Sequence, residues 1–335
     1  MRAILITKPG DPGVLKLGTV PDPVPGSDEV LIRVRATALN RADLLQRRGF
    51  YPPPPPTDPR IPGLECAGVV ERADAARSLA EGTKVMALLP GAGYAEYVSV
   101  HAGLAIPLPE SLDFVRAAAV PEVFLTAFDA LFLQLRVGLG ETVLVHAAGS
   151  GVGTAAIQLL RAAGARTLGT SRTQAKLDRC AELGLDHPIL LTGSDWTEPV
   201  LEQTGGRGVD AILDLVGGEY LEGNLKVLAE RGRMIVVGTP SGSRAPLDLG
   251  LLLRQRLLLR GTNLRRRSLA EKLDLVARFR QRILPMLASG RLEPVVDRVF
   301  PWTEAAEAHR YMEANRNFGK ILLTVGETAS APPAP

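Results

Sequence analysis

Hydrophobic and polar positions divide this chain into two regimes. In the first third they alternate with a period of two. In Glu29-Val30-Leu31-Ile32-Arg33-Val34-Arg35-Ala36 the even positions are apolar while Arg33 and Arg35 face the other way, as in a half-buried strand. Strands are predicted at 2–7, 15–20, 29–37 and 65–72, punctuated by Pro and Gly. The proline run 52–56 is too stiff for a helix or a strand interior and is predicted to be a loop. From about Pro121 short apolar runs alternate with helical stretches. Strands are predicted at 189–191, 209–216, 234–238 and 257–261, with helices at 173–183, 196–203, 219–230 and 247–254. That alternation implies a parallel, doubly wound sheet, so the fold class is α/β with a separate β-rich part. A long helix over 268–288, kinked at Pro285, and a closing turn and strand in 315–324 complete the pattern.

The sharpest local feature is Glu141-Thr142-Val143-Leu144-Val145-His146-Ala147-Ala148-Gly149-Ser150-Gly151-Val152-Gly153-Thr154. It reads as a buried strand, a glycine turn and the start of a helix running to Gly164. Gly151-Val152-Gly153-Thr154-Ala155-Ala156 fits the G-x-G-x-x-A form of the dinucleotide-binding turn, whereas a register starting at Gly149 fails at Thr154. Gly149, Ser150, Gly151 and Val152 are candidate cofactor contacts, because the helix start offers N–H groups and a positive dipole end to a pyrophosphate. The next strand, 166–170, ends at Ser171 and Arg172, with Lys176 one turn on and no acid. An NAD site places a carboxylate there for the ribose 2′-hydroxyl. Ser171, Arg172 and Lys176 suit a 2′-phosphate instead. At about 1.5–3 kcal/mol per charge-assisted bond, two such bonds give roughly a hundredfold preference for NADPH. Val216, Gly217 and Gly238 end two further apolar strands and are expected to line the cofactor crevice.

Composition adds bounds. The chain has 335 residues, 46% hydrophobic and 22% charged, with a net charge of +3. That length suggests two domains, and the charge gives no strong case for nucleic acid or an anionic membrane. The basic residues are 32 Arg and 7 Lys. Cys66 and Cys180, the only cysteines, exclude a disulfide framework and a four-cysteine zinc lobe. No run reaches membrane-spanning length, and the first residues lack a signal-peptide pattern, so the cytoplasm is the expected compartment.

Four segments together carry a resemblance: Ala38-Leu39-Asn40-Arg41-Ala42-Asp43, Pro62-Gly63-Leu64-Glu65-Cys66-Ala67-Gly68-Val69, the glycine turn, and Asn317-Phe318-Gly319-Lys320. With them the chain resembles the medium-chain dehydrogenase/reductase family, in its zinc-free quinone oxidoreductase (zeta-crystallin-like) branch. The resemblance implies a GroES-like β-barrel-type domain from residues 1–121 and 263–327, a Rossmann domain binding NADP(H) at 122–262, and a homodimer; the Ala/Pro-rich tail at 328–335 is expected to be disordered on composition. The zinc alcohol dehydrogenases carry a cysteine where this chain has Asn40 and a histidine where it has Leu64. Neither replacement is a zinc ligand, and His101, His146, His187 and His309 lack ligand spacing, so no metal is expected.

The resemblance also supplies site residues. Asn40 is expected to donate an amide hydrogen bond to a substrate carbonyl, and Tyr51 to offer a hydroxyl. Thr126 is expected to face the nicotinamide, and Phe318 and Lys320 to reach over the cofactor. Asp43 either orients Asn40 or Arg41 or caps the following helix. His146 reads as a satisfied histidine rather than an acid or base. The implied activity is NADPH-dependent reduction of a small quinone. Reduction of an activated carbon–carbon double bond is the alternative on the same fold. An NADPH-binding structural or RNA-binding protein is the alternative of another class. The arginines at 254, 256, 260 and 265–267 read as a solvated surface, since no aromatic platform interleaves them.

Overall fold

A computed structural model of the chain describes residues 1–73, 79–191, 193 and 196–326. The tail expected at 328–335 lies outside the described residues. Two compact units divide the chain: one takes Met1–Leu125 and the chain from Arg265 onward, and the other is Thr126–Leu264. The first seam falls inside the helix Pro121–Phe128.

The second unit is built on a six-stranded parallel sheet. Its spatial order is His187–Leu190, Arg166–Ser171, Thr142–Val145, Val209–Asp214, Leu228–Val236, Leu258–Gly261. The order reverses between Thr142–Val145 and Val209–Asp214, so a crevice opens at the carboxyl ends of those two strands. Leu144, Leu168, Ile189, Ile212 and Met234 pack into one buried cluster with Val200 and Val227 from flanking helices. The helix expected over 219–230 is shorter, Leu221–Val227. Leu228 and Ala229 are buried and already extended, with Leu228 opposite Val209. The chain then kinks at Arg231, where φ is 62°, and rejoins the sheet at Arg233 opposite Ala211. Packing of two apolar side chains thus overrides helical continuity.

The first unit carries a second sheet, ordered Val296–Pro301, Lys320–Thr324, Glu29–Ala38, Glu65–Arg72, Lys84–Leu88, Ala105–Pro107. The strand Glu29–Ala38 is its hub. Its first half pairs with Tyr97–His101, its last residues with Lys320–Thr324, and its length with Glu65–Arg72. Register shifts between Leu31 and Ile32 and between Val34 and Ala36 allow this exchange of partners. Three more strands of this unit, Lys84–Leu88, Tyr97–His101 and Ala105–Pro107, were not predicted. In the first and last, Met86, Ala87, Ala105 and Ile106 are buried on consecutive positions, so no period-two alternation marks them; Tyr97–His101 does alternate, with Val98 and Val100 buried. The long C-terminal helix breaks into Leu269–Arg282 and Leu284–Ala288, with Pro285 in the first turn of the second piece.

Gly319 sets the start of the strand Lys320–Thr324. Its φ is +80°, and a Cβ there would lie 2.4 Å from the carbonyl oxygen of Val295. Lys320 N–H donates to that same carbonyl at 2.8 Å, so the chain passes too close for any side chain. Gly319→Ala is expected to lower stability by roughly 1–3 kcal/mol, read as a lower urea midpoint. An unchanged midpoint would show that the turn tolerates a side chain.

Candidate active site

Three strand ends of the first unit converge because of their register. Ala38 lies opposite Leu322 and Thr37 opposite Cys66, which brings Asn40, Glu65 and Lys320 together. Lys320 Nζ donates to Glu65 Oε1 at 2.7 Å, Asn40 Oδ1 at 2.7 Å and the Leu39 carbonyl at 2.8 Å. The two charged side chains are 4% and 0% exposed. Glu65 Oε1 also accepts from Asn40 Nδ2 at 2.9 Å, and Oε2 accepts from the Glu122 backbone N–H at 2.7 Å.

Asp43 sits beneath this group and is fully buried. Its Oδ2 accepts from the Asn40 backbone N–H at 2.7 Å and its Oδ1 from the Gly63 N–H at 2.9 Å. Asp43 therefore caps the helix Arg41–Arg47 and ties down the Pro62-Gly63 turn. Burial pushes its carboxyl up to about 6, against the pull of those two N–H groups and of Lys320 and Arg265. Burial, reinforced by the charge of Glu65, pushes Glu122 up to about 8. On its other side Asp43 meets the Tyr94 hydroxyl at 3.5 Å. Tyr94 lies 3.4 Å from His309 Nε2, and His309 Nδ1 lies 3.0 Å from Arg47 Nη1.

Tyr51 is half-buried beside the proline loop, which forms turns and no regular element. Its ring lies under the Arg265 guanidinium, 5.0 Å from centroid to Cζ. Arg265 also donates to the carbonyls of Tyr51 and Pro90 and to Gln46 Oε1. The expected basic run is thus broken: Arg265 is an interior strut, Arg256 pairs with Glu230, and Arg260 bonds Gln134.

In the second unit the glycine turn has the expected strand before it and the helix Gly151–Ala162 after it. Ser150 is the N-cap, and its hydroxyl accepts from the Gly153 N–H at 3.1 Å. This leaves Gly151 and Val152 as the open first donors of the helix among the described residues. A Cβ on Gly153 would lie 2.5 Å from the Ala148 carbonyl oxygen, so glycine there lets the helix close onto the strand end. Ser171 is buried at the end of the next strand, Arg172 is exposed, and Lys176 is half-buried on the following helix. Val216 and Gly217 donate their N–H groups to Asp214 Oδ1 at 2.8 and 2.9 Å. The Ser241 N–H and hydroxyl both bond the Val216 carbonyl, which draws the loop after Gly238 against the Val216 turn.

Beneath these turns lies a polar staple. His146 Nδ1 is 2.9 Å from Thr170 Oγ1 and Nε2 is 2.7 Å from Asn224 Oδ1, while Asn224 Nδ2 donates to Asp214 Oδ2 at 3.2 Å. Since the Asn224 amide N–H is spent on the carboxylate, its oxygen must accept from His146 Nε2–H. Nδ1 then accepts from the threonine. The imidazole is neutral and fully buried, with Trp196 and Tyr220 at 4.8 Å edge-on. Burial pushes it down to about 4, with the Asn224 bond opposing.

Of the residues expected at the site, the structure joins Asn40 to Lys320 and sets Ser150, Gly151 and Val152 at a helix start. Thr126 and Phe318 are both buried. Lys320 has no N–H left for a cofactor, because all three are committed within its own unit. Glu65 and Asn224 were missed. Glu65 opens an apolar run, and an acid in that place is a signal for a paired interior charge. Nothing in the sequence marks Asn224. Leu64 is an apolar buried side chain, and Lys320 supplies the positive charge beside Asn40. Among the described residues no three His, Cys, Asp or Glu side chains are grouped to hold a metal, and no helix is long and apolar enough to cross a membrane.

The His146 environment has a pH signature. Unfolded, the imidazole takes a proton near its ordinary 6.5; folded, it does so only near 4. Acid therefore favours unfolding as pH falls from about 6.5 towards about 4, and the contribution is fully present above that window. A His146→Gln variant is expected to lose stability less steeply than the parent across this range in urea titrations. Parallel slopes would show that His146 is not the titrating group.

Residues 26–110 match the family described as alcohol dehydrogenase GroES-like domain, and residues 183–323 the family described as zinc-binding dehydrogenase. The quinone oxidoreductase of Sus scrofa is 32% identical over 96% of this chain and 97% of its own. Among solved structures, an NAD-dependent alcohol dehydrogenase is 34% identical with a TM-score of 0.87, covering 97% of this chain and all of that one. Mycobacterial Rv1454c complexed with NADPH is 29% identical with a TM-score of 0.86, covering 97% of this chain and 100% of that one. The CurK enoyl reductase is 26% identical with a TM-score of 0.86, covering 97% and 99%. The GroES-like and Rossmann-type units, with these relatives, establish an oxidoreductase: the chain belongs to the medium-chain dehydrogenase/reductase family, in its quinone oxidoreductase branch.

Proposed function

We propose that this protein is a cytoplasmic, metal-independent reductase that uses NADPH to reduce a small quinone. The observation that carries the reading is the Asn40 amide, held by a buried ion pair where, among the described residues, no metal ligands gather. NADPH, when bound, supplies a hydride; with one proton from water it converts a quinone to its hydroquinone. Gly151 and Val152 offer N–H groups for the pyrophosphate, and Ser171 and Arg172 suit a 2′-phosphate where an NAD site would carry an acid. Asn40 offers an N–H to the quinone oxygen on which negative charge builds up as the hydride arrives. A quinone needs little further activation, because its product is aromatic.

Reduction of an enone is a second reading, supported by the likeness to the CurK enoyl reductase. The same amide N–H would hold an enone oxygen. A homodimer belongs to the proposal as well. The edge strand Leu258–Gly261 pairs on one side only among the described residues, and Leu253 and Leu258 are 76% and 42% exposed. A second copy would extend the sheet and cover them; light scattering at the mass of a single chain would remove this part.

Purified protein treated with a chelator is expected to oxidise NADPH with 1,4-benzoquinone or 9,10-phenanthrenequinone, with kcat/KM roughly a hundredfold above that for NADH. Arg172→Ala is expected to erase about tenfold of that preference. Equal kcat/KM values for the two cofactors would refute the 2′-phosphate reading. Turnover of an α,β-unsaturated ketone without quinone turnover would move the assignment to the second reading.

A further inference from the structure

The oxygen and nitrogen ends of an asparagine amide are nearly the same size, so its hydrogen-bond partners decide which way it faces. Here both neighbours are chemically one-way. Lys320 has only hydrogens to give, and its Nζ lies 2.7 Å from Asn40 Oδ1. The Glu65 carboxylate only accepts, and its Oε1 lies 2.9 Å from Asn40 Nδ2. A flipped amide would set oxygen against carboxylate and N–H against ammonium. The amide is therefore locked at two of its sites, and one Nδ2 hydrogen remains, aimed in one direction.

The cost of this arrangement says what it is for. Lys320 and Glu65 are almost wholly removed from water. Burying such a pair stabilises a protein little, and apolar residues of the same volume often do as well. Lys320 spends its other two hydrogens on Glu65 and on the Leu39 carbonyl, so it has none for a ligand. Asn40 stays half-buried, with its second Nδ2 hydrogen unclaimed among the described residues.

The geometry points to Lys320, with Glu65, as a positioning residue: the pair locks the Asn40 amide so that its free N–H is preset to donate to the oxygen of the substrate being reduced. This inference rests on the reductase reading, and it makes Asn40 the residue that touches substrate. The benefit is preorganisation. A preset donor needs no reorientation as charge builds on the oxygen, and loss of one such donor costs about a hundredfold or more in kcat.

The test is a cycle of variants with 1,4-benzoquinone, repeated with an α,β-unsaturated ketone. Asn40→Ala is expected to lower kcat/KM about a hundredfold. Lys320→Met is expected to lower it at least tenfold with Asn40 present and less than twofold in the Asn40→Ala background, with KM for NADPH unchanged in each. Because Lys320→Met leaves a buried carboxylate unpaired, Lys320→Met with Glu65→Gln is run beside it, and cooperative urea unfolding identifies the folded variants. Equal losses in both backgrounds, or no loss at all, would overturn the proposal.

A second readout needs no turnover. In protein labelled with ¹⁵N at asparagine, the Asn40 amide hydrogen facing Glu65 is expected to resonate away from the free-amide position and to be protected from exchange with solvent. Both amide hydrogens should move to free-amide positions, and the protection be lost, in the Lys320→Met/Glu65→Gln protein. Should the wild type reduce neither acceptor, the reductase reading fails, while these signals still decide whether the pair locks the amide. An Asn40 amide at free-amide positions with no protected hydrogen in the wild type would refute the lock outright.

Discussion

The first unit depends on how its interior charge is neutralised. Asp43 and Glu65 are fully buried carboxylates, and Glu122 stands against them through its backbone. The compensating cations arrive from distant parts of the chain: Lys320 from the last strand and Arg265 from the start of the returning segment, while Arg47 of the first helix pairs with Glu313. None of these acids is tolerable without its partners. The N-terminal and C-terminal segments are thereby obliged to fold as one body. Around this constraint the strand register, the Gly319 turn and the capping of the helix Arg41–Arg47 fall into place.

The second unit solves a different problem. Parallel strands end together, and their carboxyl-end turns must be held open for a ligand yet fixed relative to one another. Backbone pairing stops at the strand ends, so side chains take over. Thr170, His146, Asn224 and Asp214 span the ends of three adjacent strands and the helix behind them, and Asp214 also holds the Val216 and Gly217 N–H groups. The ligand-facing turns rest on a satisfied polar network, and the aromatic pair Trp196 and Tyr220 keeps it dry.

Much of this was legible in the residues. The glycine turn, the alternation after Pro121 and the Arg33/Arg35 pattern gave the parallel sheet and the strand hub, because each is a local rule of periodicity or turn chemistry. The capping reading of Asp43 and the satisfied reading of His146 also came from local rules. The short strands Lys84–Leu88 and Ala105–Pro107 were missed because consecutive positions are buried and carry no alternation, whereas Tyr97–His101 alternates and was legible. The early end of the helix before Leu228 was missed because burial, which is tertiary, decided it. Lys320 was assigned towards the cofactor by likeness of motif. Its true partners, Glu65 and Asn40, lie 255 and 280 positions away in the chain, a distance over which no local pattern informs.

The line of contacts from Arg47 through His309 and Tyr94 to Asp43 has a direction. A guanidinium can only donate, so His309 Nδ1 accepts, its Nε2 hydrogen faces the tyrosine oxygen, and the tyrosine hydrogen faces the carboxylate. Every donor in the row points towards Asp43. For a proton to travel inward along it, the first member would have to give one up, and arginine does not. Burial also drives His309 down to about 3, with the Arg47 charge adding to the effect, so the ring does not charge at neutral pH. The row works as an insulator rather than a wire: it props the Asn40 loop from behind while sealing that side against proton entry.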